Sequence, residues 1–166
     1  MKWLAIAGIS LAGLVALVTL IGLLLPTAHV AARSAHVNRS REAVWKLISG
    51  DQSWRPDIRH YEPLPDRGGL RAWKETDSHG KSITFEQTES REAQRLVTRI
   101  ADTGLPFGGS WTYELEDEAG GCTIRITEHG EVYNPIFRFV SRFILGHAAT
   151  IEAYLRALSQ RLEQGA

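Results

Sequence analysis

From Trp3 to Leu25 the chain reads WLAIAGISLAGLVALVTLIGLLL, with no charged side chain and only Ser10 and Thr19 clearly polar. A run that is apolar on every face cannot be the stripe of an amphipathic helix packed on a soluble core. As a helix it extends about 34 Å at about 1.5 Å per residue, enough to cross a hydrocarbon layer of about 30 Å. Lys2 precedes the run and Pro26 closes it. The sequence therefore predicts a single-pass membrane protein: an N-terminal transmembrane anchor and linker over residues 1–28, then one domain over residues 29–166. The competing reading is a cleaved signal sequence ending at the small residues Val30-Ala31-Ala32. The apolar core of a signal sequence is about 7–15 residues, shorter than this run, which favours a retained anchor. Lys2 on one side and Arg33, Arg39 and Arg41 on the other give opposing positive-inside signals, so the side that the domain occupies stays open.

Over the whole chain, charge is balanced, with 19 Lys+Arg against 19 Asp+Glu, and all of it but Lys2 lies beyond the anchor. No net field draws the domain to nucleic acid. Cys122 is the single cysteine and cannot form an intrachain disulfide. The histidines at 29, 36, 60, 79, 129 and 147 show no His-x-x-x-His spacing. Neither a metal site nor a cofactor is expected from these spacings. Gly104–Gly109 lacks the Lys-Ser/Thr of a phosphate loop, and Gly109-Ser110-Trp111 is not a nucleophile elbow.

Local patterning predicts strands and helices in a definite order. Val30–Asn38 is a first strand; Ser40 then caps a helix whose apolar side includes Val44, Trp45, Leu47 and Ile48, with Trp45 expected in the core. Six more strands follow at Ile58–Pro63, Leu70–Thr76, Ser82–Ser90, Arg95–Asp102, Gly109–Glu118 and Cys122–Tyr133, separated by turn clusters such as Pro65–Gly69 and Ala119-Gly120-Gly121. Trp111, Tyr113 and Leu115 alternate with Thr112, Glu114 and Glu116, and Ile124 and Ile126 alternate with Thr123, Arg125 and Thr127. Such alternation describes an antiparallel sheet with one covered face. The cover is a helical pattern over Pro135–Glu163, with Asn134 as its cap and Ile136, Val140, Phe143, His147, Ile151, Tyr154, Leu158 and Leu162 on one stripe. Read as one helix, it exceeds about 40 Å and spans the sheet.

The segment Ser40-x-Glu42-x-Val44-Trp45-x-Leu47-Ile48-Ser49, followed by Trp54-Arg55-Pro56, resembles the opening of the START/polyketide-cyclase-like (SRPBCC) superfamily. Gly104–Gly109 and Glu131–Pro135 look like the corresponding stretches of a membrane-anchored branch of it. The resemblance covers about residues 30–163 and implies an α+β helix-grip fold, a curved antiparallel sheet around a long C-terminal helix with a cavity between them. It implies no particular reaction, since members range from carriers of hydrophobic ligands to cyclases.

Candidate cavity residues are the inward strand positions Trp73, Glu75, Phe85, Trp111, Tyr113, Ile126 and Glu128, facing Phe143 and His147 of the closing helix. Apolar ligand sites are built from such aromatic walls with few polar groups. Glu128 points inward if the strand is regular, and outward if a bulge near His129-Gly130 reverses it. His147 reads either as a core histidine or as a ligand-orienting one. Three functions remain open: a membrane-anchored carrier or binding domain for a small hydrophobic or lipid-like molecule, an enzyme using Glu75, Glu128 or His147 as acid or base on a hydrophobic substrate, and an interaction module with a filled interior.

Overall fold

The computed structural model describes residues 2–164. Helix α1 spans Lys2–Leu24 and is exposed along almost its whole length. It is long and apolar enough to cross a membrane, a test that an N-terminal signal sequence also passes. Two residues beyond its closing Leu25 and Pro26, strand β1 begins (Ala28–Val37), followed by α2 (Arg41–Ser49). The Ser40 hydroxyl accepts the Ala43 N–H and caps α2, as the sequence predicts. Val44 and Ile48 are its fully buried residues, while Trp45 packs against the core only half-buried, because it lies beside rather than on the inward stripe.

Six strands run on from there: β2 (Ile58–Arg67), β3 (Leu70–Asp77), β4 (Ser82–Arg91), β5 (Arg95–Ile100), β6 (Phe107–Glu118) and β7 (Gly121–Val132). All seven form one antiparallel sheet in the order β1-β7-β6-β5-β4-β3-β2. The meander pairs sequential neighbours, and β1 closes the far edge on β7 through ten residue pairs, from Ala28 opposite Glu131 to Val37 opposite Cys122. Register breaks between Ile58 and His60, Leu64 and Arg67, and Gln87 and Glu89 bend the β2 and β4 side of the sheet. No such break interrupts β7, whose pairing with β6 is regular from Gly121 to Val132. The bulge that would have turned Glu128 outward is therefore absent.

The C-terminal segment departs from expectation. Instead of one helix over Pro135–Glu163, there is a short α3 (Pro135–Val140), a π-helical turn (Ser141–Leu145) and then α4 (Ala149–Gln164). The reason is local. Gly146 adopts φ 76°, and its N–H reaches back to the Ser141 carbonyl at 3.0 Å. That left-handed geometry suits glycine and ends a right-handed helix. The break separates the predicted stripe into two. Ile151, Tyr154, Leu155, Leu158 and Leu162 of α4 enter the core with Val37, Val44, Leu96, Leu115, Ile124 and Ile126. Phe143, Ile144 and Leu145 of the π turn are left exposed.

The core thus sits under α4. Leu158 is fully buried, so Leu158→Ala should lower stability by about 2–5 kcal/mol, as cavity-creating changes do. Arg156, exposed on the opposite face, should tolerate alanine within about 0.5 kcal/mol. Urea unfolding of the two variants beside the parent checks both, and equal losses would mean that the faces of α4 are misassigned.

A candidate ligand cavity between sheet and helices

Because α4 covers only part of the concave face, a cavity of about 630 Å³ remains between the sheet, α3, the π turn and the start of α4. Its walls are mainly apolar. Trp73 and Phe85, paired across β3 and β4, stack with ring centroids 5.8 Å apart. Trp111 meets Tyr154 edge-on at 5.6 Å. Ile83, Ile100, Val140 and Leu145 extend the apolar lining.

Among the polar residues of this wall, which also include Lys81, Thr98, Arg99 and Ser110, two clusters stand out by their burial and mutual contacts. In the first, Glu75 on β3 accepts the Trp73 indole N–H at 2.8 Å and an Arg55 N–H at 3.0 Å. Arg55 also donates to Asp57 at 2.5 Å and lies over the Tyr154 ring, 5.4 Å from its centroid. Burial raises the Glu75 pKa, opposed by the Arg55 charge and the Trp73 hydrogen bond. Burial works against the Arg55 charge too, but Asp57 and Glu75 outweigh it and the guanidinium stays charged. Tyr154 donates to the buried Gln52 side chain at 3.3 Å, and Gln52 in turn donates to the Leu47 and Ile48 carbonyls at the end of α2.

The second group lies across the cavity. The His29 and His147 rings stack with centroids 3.9 Å apart, and His29 Nε2 is 3.7 Å from the Glu128 carboxylate. Gly130, opposite His29 on β7, leaves room for the ring; a β-carbon there would overlap it. The Nδ1 atoms of both histidines and Oε2 of Glu128 are buried without a hydrogen-bond partner among the described residues. Burial lowers the pKa of His29, helped by His147, and lowers that of His147, helped by Arg142. Burial raises that of Glu128, opposed by the Trp111 side chain. Each group is thereby shifted toward its neutral form, in which a histidine ring offers one donor and one acceptor.

Of the residues expected from sequence, Trp73, Glu75, Phe85, Trp111, Tyr113, Glu128 and His147 all border this cavity. Ile126 does not: it is fully buried in the core. Phe143 does not either, because the break at Gly146 takes the π turn off the α4 stripe, and its ring packs on Phe139 at 4.9 Å, 59% exposed. Sequence reasoning missed His29, Arg55 and Gln52. For His29 a signal existed: alternation along β1 puts His29, Ala31, Arg33, Ala35 and Val37 on one face, and Val37 is a core residue.

An antiparallel sheet gripping a C-terminal helix around a mostly apolar cavity defines the class as a helix-grip, Bet v 1-like fold. The chain belongs to the polyketide cyclase / dehydrase and lipid transport family, whose model matches residues 28–164. Among solved structures it is similar to protein MLL2253 from Mesorhizobium loti (TM-score 0.64, 12% identity, covering 83% of this chain and 99% of that one). It is likewise similar to norcoclaurine synthase from Thalictrum flavum (TM-score 0.63, 15% identity, 82% and 87% covered). A third is the di-domain ARO/CYC StfQ from the steffimycin biosynthetic pathway (TM-score 0.66, 10% identity), of which the chain covers 52% with 83% of its own length. At these identities the likeness is one of fold. No curated protein matches the chain significantly. Family membership connects it with hydrophobic-ligand binding or polyketide-cyclase-type activity.

The shifted groups fix the direction of a pH effect. With its pKa raised above 4.5, Glu128 binds more protons in the folded than in the unfolded state between those two values, so its contribution to stability falls as pH rises through that window. His29 and His147, lowered from 6.5, act oppositely and cost stability as pH falls below that value. Glu128→Gln removes only the first effect. Its stability relative to the parent should therefore increase as pH is raised from about 4.5, the ordinary carboxyl value, in denaturant titrations across a pH series. A constant difference would show that Glu128 titrates as an ordinary surface carboxyl.

Proposed function

We propose that this protein is a membrane-tethered binding domain for a small hydrophobic or lipid-like ligand, held in the cavity between β3–β7 and the C-terminal helices. The observation that carries the reading is a cavity of about 630 Å³ with mainly aromatic and aliphatic walls and two buried polar clusters, Arg55–Glu75 and His29–Glu128–His147, set into them. Such a site favours a ligand with an apolar body and one or two hydrogen-bonding ends. The unpartnered nitrogens of His29 and His147 suit a hydroxyl or carbonyl at one end. The tether is α1, whose length and composition suit a bilayer, and retention of α1 rather than cleavage is part of the proposal. An interaction module with a filled interior draws no support from an open cavity.

One observation favours a second reading, an enzyme of cyclase or dehydratase type. His29 and Glu128, in contact distance and both shifted toward neutrality, are suited to passing a proton to or from a substrate in the same cavity.

Ile83 lines the cavity and is only partly buried. Ile83→Trp should fill part of the space and weaken binding of an environment-sensitive probe such as anilinonaphthalene sulfonate about tenfold, the equivalent of about 1.4 kcal/mol. Glu114→Gln, on the outer face of β6, should leave binding unchanged. Native mass spectrometry of detergent-extracted protein should show a co-purified small molecule in the parent and less in Ile83→Trp. Equal probe affinity in all three proteins would place binding outside this cavity.

A further inference from the structure

Outside α1, most of the exposed large apolar side chains among the described residues lie on α3 and the π turn. Ile136, Phe137, Phe143, Ile144 and Leu145 are 37–69% exposed within one eleven-residue stretch, Pro135–Leu145. Soluble surfaces scatter such residues singly rather than gathering them. This stretch is also fastened to the end of α1. Arg138 donates to the Gly22 and Leu25 carbonyls at 3.2 and 3.0 Å, and to the Val132 and Tyr133 carbonyls at 2.9 and 3.0 Å. A cation here suits the C-terminal end of α1, where the Gly22 carbonyl also accepts the Leu25 N–H at 3.3 Å. Gly22 is buried against Pro135, and a β-carbon at that position would overlap the Pro135 carbonyl. The exposed face of α3 and the π turn therefore continues the exposed apolar surface of Leu23 and Leu24.

We infer that Pro135–Leu145 lies in the headgroup–acyl boundary of the bilayer that α1 crosses, and that the cavity opens there, toward lipid rather than toward bulk water. This rests on the membrane-tether reading above. The level is set by α1: its C-terminal end emerges at the interface, and Arg138 holds α3 to it. The apolar side chains that face away from the domain then enter the acyl boundary, Tyr133 sits at headgroup depth, and Arg142 reaches phosphate, the arrangement of an interfacial segment. The same stretch forms part of the cavity wall through Phe137, Val140, Ser141 and Leu145. A hydrophobic ligand leaving the bilayer beside Phe137 and Leu145 enters the cavity without crossing water.

The test uses the full chain in phosphatidylcholine vesicles. Cys122 is buried, so Ile144→Cys and, separately, Ala119→Cys can each be labelled at one thiol with a polarity-sensitive nitrobenzoxadiazole dye. Ala119 lies in the β6–β7 turn, at the end of the sheet opposite Ala28, about 30 Å away at about 3.3 Å per strand residue. The label at 144 should emit to the blue and be quenched several-fold more by doxyl-labelled phospholipid than the label at 119. Phe143→Cys should behave like Ile144→Cys, which covers the case of one variant misfolding. Water-like, unquenched emission at both 143 and 144, in protein that resists alkaline carbonate extraction, would overturn the inference while leaving the tether standing. So would blue-shifted emission that lipid does not quench but that shows energy transfer between labelled copies, which would make this face a contact with a second chain. Release of the protein by carbonate would remove the tether reading and the inference with it.

Discussion

A single helix of sixteen residues, about 24 Å long, cannot cover the concave face of a curved seven-stranded sheet. The rest of the architecture follows from how that shortfall is met. Over part of the sheet α4 packs directly, and Ile151, Leu155, Leu158 and Leu162 form one buried cluster with Val37, Leu96, Leu115 and Ile124. Over another part the cover is α3 and the π turn, which stand off the sheet because the chain turns at Gly146. The cavity is the volume between these two modes of closure, bounded on the core side by Tyr113, whose ring lies 5.7 Å from that of the core residue Tyr154.

A cavity with apolar walls gives any polar group inside it unusual weight, because the low local dielectric strengthens satisfied hydrogen bonds and penalises missing ones. The two polar groups meet this differently. Glu75 is satisfied by Trp73 and Arg55, and Arg55 by Asp57, Glu75 and the Tyr154 ring, so this side is closed and structural as it stands. The His29–His147 stack and Glu128 leave three buried polar atoms open among the described residues. That asymmetry, rather than the number of polar residues, marks which end of the cavity is chemically incomplete.

Much of this was legible in the sequence. Strict alternation in β6 and β7 assigned Trp111, Tyr113, Ile124 and Ile126 to one face and left Glu128 open between inward and outward; the structure keeps the register, and Glu128 points inward because no bulge intervenes. The caps at Ser40 and Asn134 read correctly because a side chain bonding to a nearby backbone N–H is a local event. The continuity of the C-terminal helix was misread. A period of three to four residues persists across Gly146, yet periodicity reports which residues are apolar and not whether the backbone between them stays helical. Phe143 was placed in the cavity for that reason. Ile126 was placed on the correct face, but how far along a strand the cavity extends depends on where α4 ends, which no pattern in β7 encodes. The Arg55–Glu75 pair was invisible because its partners are 20 residues apart on elements whose approach is set by the bend of the sheet.

The connection between α1 and β1 consists of little more than Pro26 and Thr27, and the Thr27 carbonyl already accepts the Val132 N–H at 2.9 Å. A long disordered stalk would let a domain sweep a hemisphere of solvent and sample whatever diffuses through it. This junction permits no such excursion. With α1 in a bilayer, the domain's encounters are confined to the plane of the sheet of lipid beneath it. Under the tethered-carrier reading, its search for a ligand is then two-dimensional, and its effective concentration is set by molecules per unit area of membrane rather than per unit volume of the compartment it faces.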